Sequence, residues 1–157
     1  MIKGKITKKD MLHNLSIYFK EEIINVVAML DTGNLLKEPI TGKSVIVVEK
    51  IQLYKILPEN ILDNISNILN GENTELLNNE YLSRFKIIPF SSLGKQNGML
   101  LGFVPDKVVI EGEKEIKDVV IGIYEKSLTK NGAYTALIGL DLIEGRKKNE
   151  YISSIKV

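Results

Sequence analysis

The chain has 157 residues, 44% of them hydrophobic and 26% charged, and its 21 basic and 20 acidic side chains leave a formal net charge of +1. That size and apolar content suit one globular domain with a sizeable core, and the even charge gives no ground for a nucleic-acid or polyanionic partner. The lack of cysteine excludes disulfides, thiol nucleophiles and thiolate metal sites, and the single histidine, His13, cannot build a His-rich metal centre. No cofactor or metal is expected, and His13 reads as a polar residue near the first strand. No apolar run approaches the roughly 18 residues of a membrane span, and no apolar stretch follows the basic start, so no signal peptide is read.

In chain order, LHNLSIYFKEEIINVVAML predicts two strands around a turn at Lys20-Glu21-Glu22, because its flanks are β-branched and aromatic. The chain then turns through Pro39 and Thr41-Gly42 into a short strand, Val45 to Val48. The period changes in LPENILDNISNILNG, where Ile61, Leu62, Ile65, Ile68 and Leu69 fall at helical spacing between Pro58 and Gly71. A second short helix is predicted from about Thr74, as its cap, to Leu82. Strand character returns in FKIIPF, GMLLGFVP, KVVIEGEKEIKDVVIGIYE and TALIGL, with Glu111-Gly112 marking a hairpin between Lys107–Ile110 and Glu115–Tyr124. DLIEG reads as a short helix or turn before a polar tail. The expectation is one mainly β domain over residues 1–157, its sheet closed or folded over, with a helical insertion around 52–82.

The stretch VVAMLDTGN, Val26 to Asn34, carries the chemistry. An apolar strand ends in one aspartate, followed by a hydroxyl, a glycine and an amide. Two readings stand side by side. Asp, Thr, Gly and Asn all form turns, so the triplet fits a solvent-exposed loop. Alternatively, Asp31 is one of a pair of carboxylates that share a proton and cut an amide bond, one activating water and the other donating to the carbonyl oxygen. The second reading asks for a hydroxyl to brace the loop and a glycine to turn it and offer an N–H, which Thr32 and Gly33 supply. Far downstream, TALIGLDLIEG, two aliphatics and Gly139, resembles the strand that packs close beside the aspartate loop in a pepsin-like or retropepsin-like half. Neither Ser91 nor Ser92 has a visible base, so neither reads as a nucleophile. Phosphoryl transfer to Asp31 is disfavoured, because no Gly-rich phosphate loop or second acidic motif is present.

LDTGN together with LIGLDLI resembles a single-lobed, retroviral-type aspartic protease. The longer string AMLDTGNLLKEPITGKSVIVVE, with IIPFSSLGKQNGMLLGFVPDKVVI, is similar to one family, the sporulation sigma-E factor-processing peptidases of endospore-forming bacteria. The resemblance runs from about Leu15 to Glu144, and the segment Gln52 to Leu82 contributes little to it. It implies a retropepsin-like β-fold, one catalytic aspartate per chain (Asp31) and a homodimeric site shaped by Thr32, Gly33, Asn34 and Gly139. It implies a protein substrate, the inactive sigma-factor precursor, cut near its N-terminus. It further implies a membrane domain preceding this part, which would place the domain on the cytoplasmic side of the cell or septal membrane. An activating signalling protein would act through that membrane part. The hairpin PFSSLGKQNGMLLGF is the candidate flap, with Ser91, Ser92, Leu93 and Gly94 against substrate; an ordinary hairpin loop is the alternative. Terminal strands near Met1 and Tyr151 to Val157 would complete the dimer. Asn34 stands where retroviral enzymes usually have alanine, and Leu140-Asp141 where they have Arg-Asn. The other aspartates, Asp10, Asp63, Asp106, Asp118 and Asp141, are expected to be dispensable for chemistry, with Asp141 serving the fold. The rival to the enzyme is a non-catalytic retropepsin-like dimerisation or interaction module.

Overall fold

Strand-forming sequence dominates, and the computed structural model of the chain, which describes residues 11–33, 36–91 and 97–143, is mainly β. The first expected hairpin forms from β1 (Leu12–Phe19) and β2 (Glu22–Leu30), paired from Leu12 against Met29 to Phe19 against Glu22. Its turn residues Lys20 and Glu21 both take positive φ, 49° and 70°, the left-handed geometry that matches the strands' own twist. Alternate residues Leu15, Ile17 and Phe19 of β1, and Ile24, Val26, Ala28 and Leu30 of β2, are buried. β3 (Ser44–Glu49) follows.

The helical segment departs from expectation. Instead of one helix there are two, α1 (Glu59–Leu62) and α2 (Ile65–Leu69). The break falls at Asp63-Asn64, whose side chains compete with helical bonding: Asp63 accepts from the Tyr54 hydroxyl at 2.7 Å and Asn64 donates to the Asn60 carbonyl at 2.7 Å. Ile61, Leu62, Ile65 and Ile68 are buried nonetheless, so the apolar spacing reported burial correctly and continuity wrongly. Thr74 does not cap the next helix. It starts a short 3-10 turn, and α3 (Asn79–Leu82) is capped by Asn78, whose Oδ1 accepts from the Glu80 N–H at 3.0 Å.

β4 (Phe85–Ser91) and β5 (Asn97–Phe103) pair as a hairpin, and β6 (Lys107–Ile110) turns through Glu111-Gly112 into β7 (Lys114–Ile116). The expected long partner strand Glu115–Tyr124 is split. The charged pair Lys117-Asp118 releases the chain from the β6 edge, and β8 (Val119–Tyr124) crosses to lie between β5 and β3. The wholly apolar run Val119 to Ile123 needs burial on both faces, which an edge position cannot give. The last strand among the described residues, β9 (Ala136–Ile138), lies parallel to β2 and antiparallel to β3. Among the described residues the sheet has nine strands in the order β4-β5-β8-β3-β9-β2-β1-β6-β7.

The sheet folds over, as the sequence led one to expect. β5 and β1 lie five steps apart in that order, about 24 Å on a flat sheet at about 4.8 Å per strand, yet the Phe19 and Phe103 rings are 5.2 Å apart. The corner Val104-Pro105-Asp106 fastens the closure. The Asp106 N–H donates to the Tyr18 carbonyl at 2.8 Å, and the Asp106 carboxylate accepts from the Lys20 N–H at 2.9 Å and from Arg84 at 2.6 Å. Arg84 also stacks 4.7 Å above the Phe19 ring. A smaller apolar cluster on the other face joins Val45, Val47, Ile88 and Val120.

That second cluster depends on Gly102, which pairs with Gly122 across β5 and β8. A Cβ at Gly102 would lie 2.5 Å from Ile88 Cδ1 and 2.9 Å from the Ile121 carbonyl oxygen. The side chain can move but the backbone oxygen cannot, so Gly102→Ala is expected to cost about 1–3 kcal/mol of stability. At Gly122 the nearest atom is a Val45 methyl at 3.0 Å, and the same change should cost less. Denaturant unfolding midpoints of the two variants give the comparison; equal midpoints would refute the packing account.

Candidate functional site

β2 delivers Asp31 at its C-terminal end, half-buried, while Thr32 and Gly33 are exposed. The Asp31 N–H donates to the Ile138 carbonyl at 2.8 Å, extending the parallel β2–β9 pairing by one residue. Gly139, the next residue along, is buried with extended backbone, so the aliphatic-aliphatic-glycine strand does lie beside the aspartate loop. The Gly33 N–H donates to Asp31 Oδ1 at 3.1 Å and orients the carboxylate. Gly33 does not adopt positive φ, and a Cβ there would meet only Asp31 Oδ1, at an ordinary 3.6 Å. Within this chain nothing described requires glycine at that position.

The candidate flap is a hairpin as far as it is described, with Ser91 closing β4 opposite Asn97. Ser92, Leu93 and Gly94 lie outside the described residues, as do Asn34 and both terminal segments. His13 is buried within β1, its Nδ1 3.2 Å from Glu111 Oε1 at the β6–β7 turn. Phe103-Val104-Pro105-Asp106, part of the family-like middle segment, forms the closing corner described above.

Two sets of contacts escaped the sequence, although Asp141 itself was expected to serve the fold. Glu38 is 1% exposed and accepts from the Thr41 hydroxyl at 2.6 Å and from the Thr41 and Ile40 N–H groups at 3.0 and 2.9 Å. The Thr41 hydroxyl outweighs the upward push of burial and, with those N–H groups, holds the carboxyl below its ordinary range. The spacing Glu-Pro-x-Thr, an acid three residues before a hydroxyl, was the available signal. Further on, Asp141 Oδ2 accepts from Lys37 Nζ at 2.6 Å and from the Ser44 hydroxyl, and Lys37 Nζ reaches Ser44 Oγ at 2.7 Å. Burial pushes the Asp141 carboxyl up, but the Lys37 and Ser44 hydrogen bonds and the lysine charge outweigh it and leave it lowered. Asp106 is lowered in the same way, burial being outweighed by Arg84 and Lys20.

These three carboxyls set a sign for acid stability. Each has a folded pKa below its unfolded one, so each contributes stability above the unfolded value of about 4 and loses it as pH falls through the folded value. The unfolding midpoint in urea should therefore be steady from about pH 7 to 5 and drop below about pH 4. A midpoint that rises between pH 5 and pH 3 would contradict the assignment.

A mainly β domain that presents one half-buried aspartate at a strand end, braced by its own glycine N–H and a neighbouring parallel strand, defines a carboxylate site. The family model described as Sporulation factor SpoIIGA (Peptidase_U4) matches residues 1–142, and the chain belongs to that family. It is 28% identical over 137 residues to the sporulation sigma-E factor-processing peptidase of Priestia megaterium, covering 85% of this chain and 45% of that one. It is likewise 28% identical over 130 residues to the protein of the same name from Bacillus subtilis strain 168, covering 80% and 42%. The chain thus spans less than half the length of these relatives. No solved structure matches it. Among the described residues no helix is long and apolar enough to cross a membrane.

Proposed function

We propose that this chain is an aspartic endopeptidase of retropepsin-like fold that removes the N-terminal pro-sequence of a sporulation sigma-factor precursor, at a site completed by Asp31 of two chains. The observation that carries the reading is Asp31 itself, lodged between its own glycine N–H and the Ile138–Gly139 strand. One carboxylate removes a proton from water while the protonated partner donates to the scissile carbonyl oxygen. The water oxygen bonds to the carbonyl carbon, and collapse of the tetrahedral intermediate breaks the C–N bond as a proton passes to the departing amine. Thr32, exposed in the single chain, would bond across the two-fold axis. Asn34 would brace the loop or bind substrate backbone, and the β4–β5 hairpin would close over the peptide through Ser91, Ser92, Leu93 and Gly94. The same reading places the domain at the cytoplasmic side of a membrane, with an activating signalling protein acting through a membrane part.

Gly33 gives a test of the shared site. Among the described residues its own chain has room for a methyl group, so in the proposed dimer a side chain at position 33 would meet the partner chain or the substrate. Gly33→Ala should leave the unfolding midpoint within about 0.5 kcal/mol of wild type. Cleavage should nevertheless fall at least about tenfold, through displaced groups at the site. Full activity in this variant would remove the argument. The decisive experiment is incubation of the purified chain, at high concentration, with the sigma-factor precursor, followed by mass analysis. One cut near the precursor's N-terminus is expected. A folded, dimeric chain that yields no product would leave the interaction-module reading in its place.

A further inference from the structure

We propose that Lys37, Ser44 and Asp141 form a clamp that positions the Asp31 loop, so that their loss lowers the rate of the chemical step rather than the hold on substrate. The proposal rests on reading Asp31 as the catalytic carboxylate. Two ties fix the segment that carries it. The first is the Asp31 N–H to the Ile138 carbonyl at 2.8 Å. From Ile138 the chain passes Gly139 into a 3-10 turn, Leu140–Leu142, which presents Asp141. The second tie is Asp141 to Lys37, six positions beyond Asp31, at 2.6 Å. The strand that passes the carboxylate and the loop that leads away from it are thus joined to each other at Asp31 and again six residues further on.

The arm that carries Lys37 is itself rigid. Lys37 and Ser44 face each other in a β-bridge, flanked by bonds from the Val45 N–H to the Leu36 carbonyl at 3.1 Å and from the Glu38 N–H to the Lys43 carbonyl at 2.9 Å. The buried Glu38 carboxylate closes its tip. A loose arm would make Lys37 a floppy surface cation. On a braced arm its ammonium has a defined place, and Asp141 sits in that place.

Two simpler accounts fit less well. Lys37 and Asp141 are 44% and 40% exposed, and an ion pair so open to water contributes about 0–1 kcal/mol, a small return for three side chains converging on one another. Nor is Ser44 a nucleophile with Lys37 as its base, because an ammonium held against a carboxylate has no lone pair to offer. Position is a different matter, since a displacement of about 1 Å at a reacting group can cost on the order of 100-fold in rate.

The test compares Lys37→Met, Asp141→Asn and the exchange Lys37→Asp with Asp141→Lys. Rates are measured on the sigma-factor precursor at protein concentrations that saturate the dimer, and Gly33 amide hydrogen exchange is followed by NMR without substrate. Each single change should lower kcat about 10- to 100-fold with KM within about twofold, and should speed Gly33 exchange. The exchange of charges should recover most of the lost kcat. Wild-type kcat in the single variants, or unchanged Gly33 exchange in a folded variant, overturns the clamp. If Asp141→Asn does not fold, Lys37→Met decides alone, because that side chain is half exposed and keeps its aliphatic stem. Failure of the catalytic reading shows separately, as cleavage that survives Asp31→Asn, and Gly33 exchange still decides whether the clamp holds the loop.

Discussion

Cleavage of the sigma-factor precursor is expected to stop when Asp31 becomes Asn, in a domain that still folds. The substitution keeps the shape of the side chain and its Oδ1, so the Gly33 N–H retains an acceptor where it now bonds at 3.1 Å. The Asp31 N–H bond to Ile138 belongs to the backbone and is indifferent to the change. Asp31 is half-buried and outside the apolar core, so unfolding should move by less than about 1 kcal/mol. What Asn cannot do is take a proton from water and return it. Acid–base catalysis of this kind contributes roughly 10²- to 10⁴-fold, and the loss should be at least that large. Product formation followed by mass spectrometry, beside a urea unfolding curve, gives both halves of the result. Cleavage near the wild-type rate by Asp31→Asn or Asp31→Ala would end the proposal.

The second large effect is suppression by inactive chains. The proposed mechanism needs two carboxylates and the sequence contains a single Asp-Thr-Gly, so on that proposal a symmetric pair of chains supplies them. When Asp31→Ala chains are added in roughly ninefold excess, about nine in ten wild-type chains pair with an inactive partner, and activity should fall to about a tenth. Specific activity of the unmixed protein should rise with concentration as dimers form by mass action. Any tether that raised the effective concentration of chains, to about the millimolar range, would remove that dependence. Activity per chain that is unchanged by dilution into the monomeric range, as sedimentation defines it, would refute a shared site.

Local chemistry was legible in the sequence and long-range pairing was not. β-branched flanks announced the β1–β2 hairpin even though its turn holds Lys20 and Glu21 at positive φ with no glycine to mark it. Glu111-Gly112 announced the next. The apolar spacing from Ile61 to Ile68 revealed what is buried, but the competing side chains of Asp63 and Asn64 broke the helix that spacing seemed to promise. The departure of β8 from the β6 edge was hidden, because a run of residues does not state which neighbours will bury it. At the site, Asp31 and the Gly139 strand were found from motif chemistry. Lys37 and Asp141 meet across 104 residues; Asp141 was picked out as a residue serving the fold, but no local pattern pointed to Lys37 as its partner. Glu38 had a readable cue and was passed over, since an acid in a turn usually faces water.

The three residues of β9 have a consequence for the order in which this molecule comes into being. In the strand order, β9 is what joins β4-β5-β8-β3 to β2-β1-β6-β7. Two half-sheets therefore wait for a short segment made near the end of the described chain. A newborn chain that has reached Tyr124 already owns its aspartate but has no Ile138 carbonyl to receive it. The Asp31 loop is thus assembled late in synthesis, after nearly all of the core-forming sequence has been made. Pairings so distant in sequence also form slowly once the chain is free. On the proposed function, such a chain is silent while it is being made, with no inhibitor required, because the last of the described strands to arrive is the one that sets the carboxylate in place.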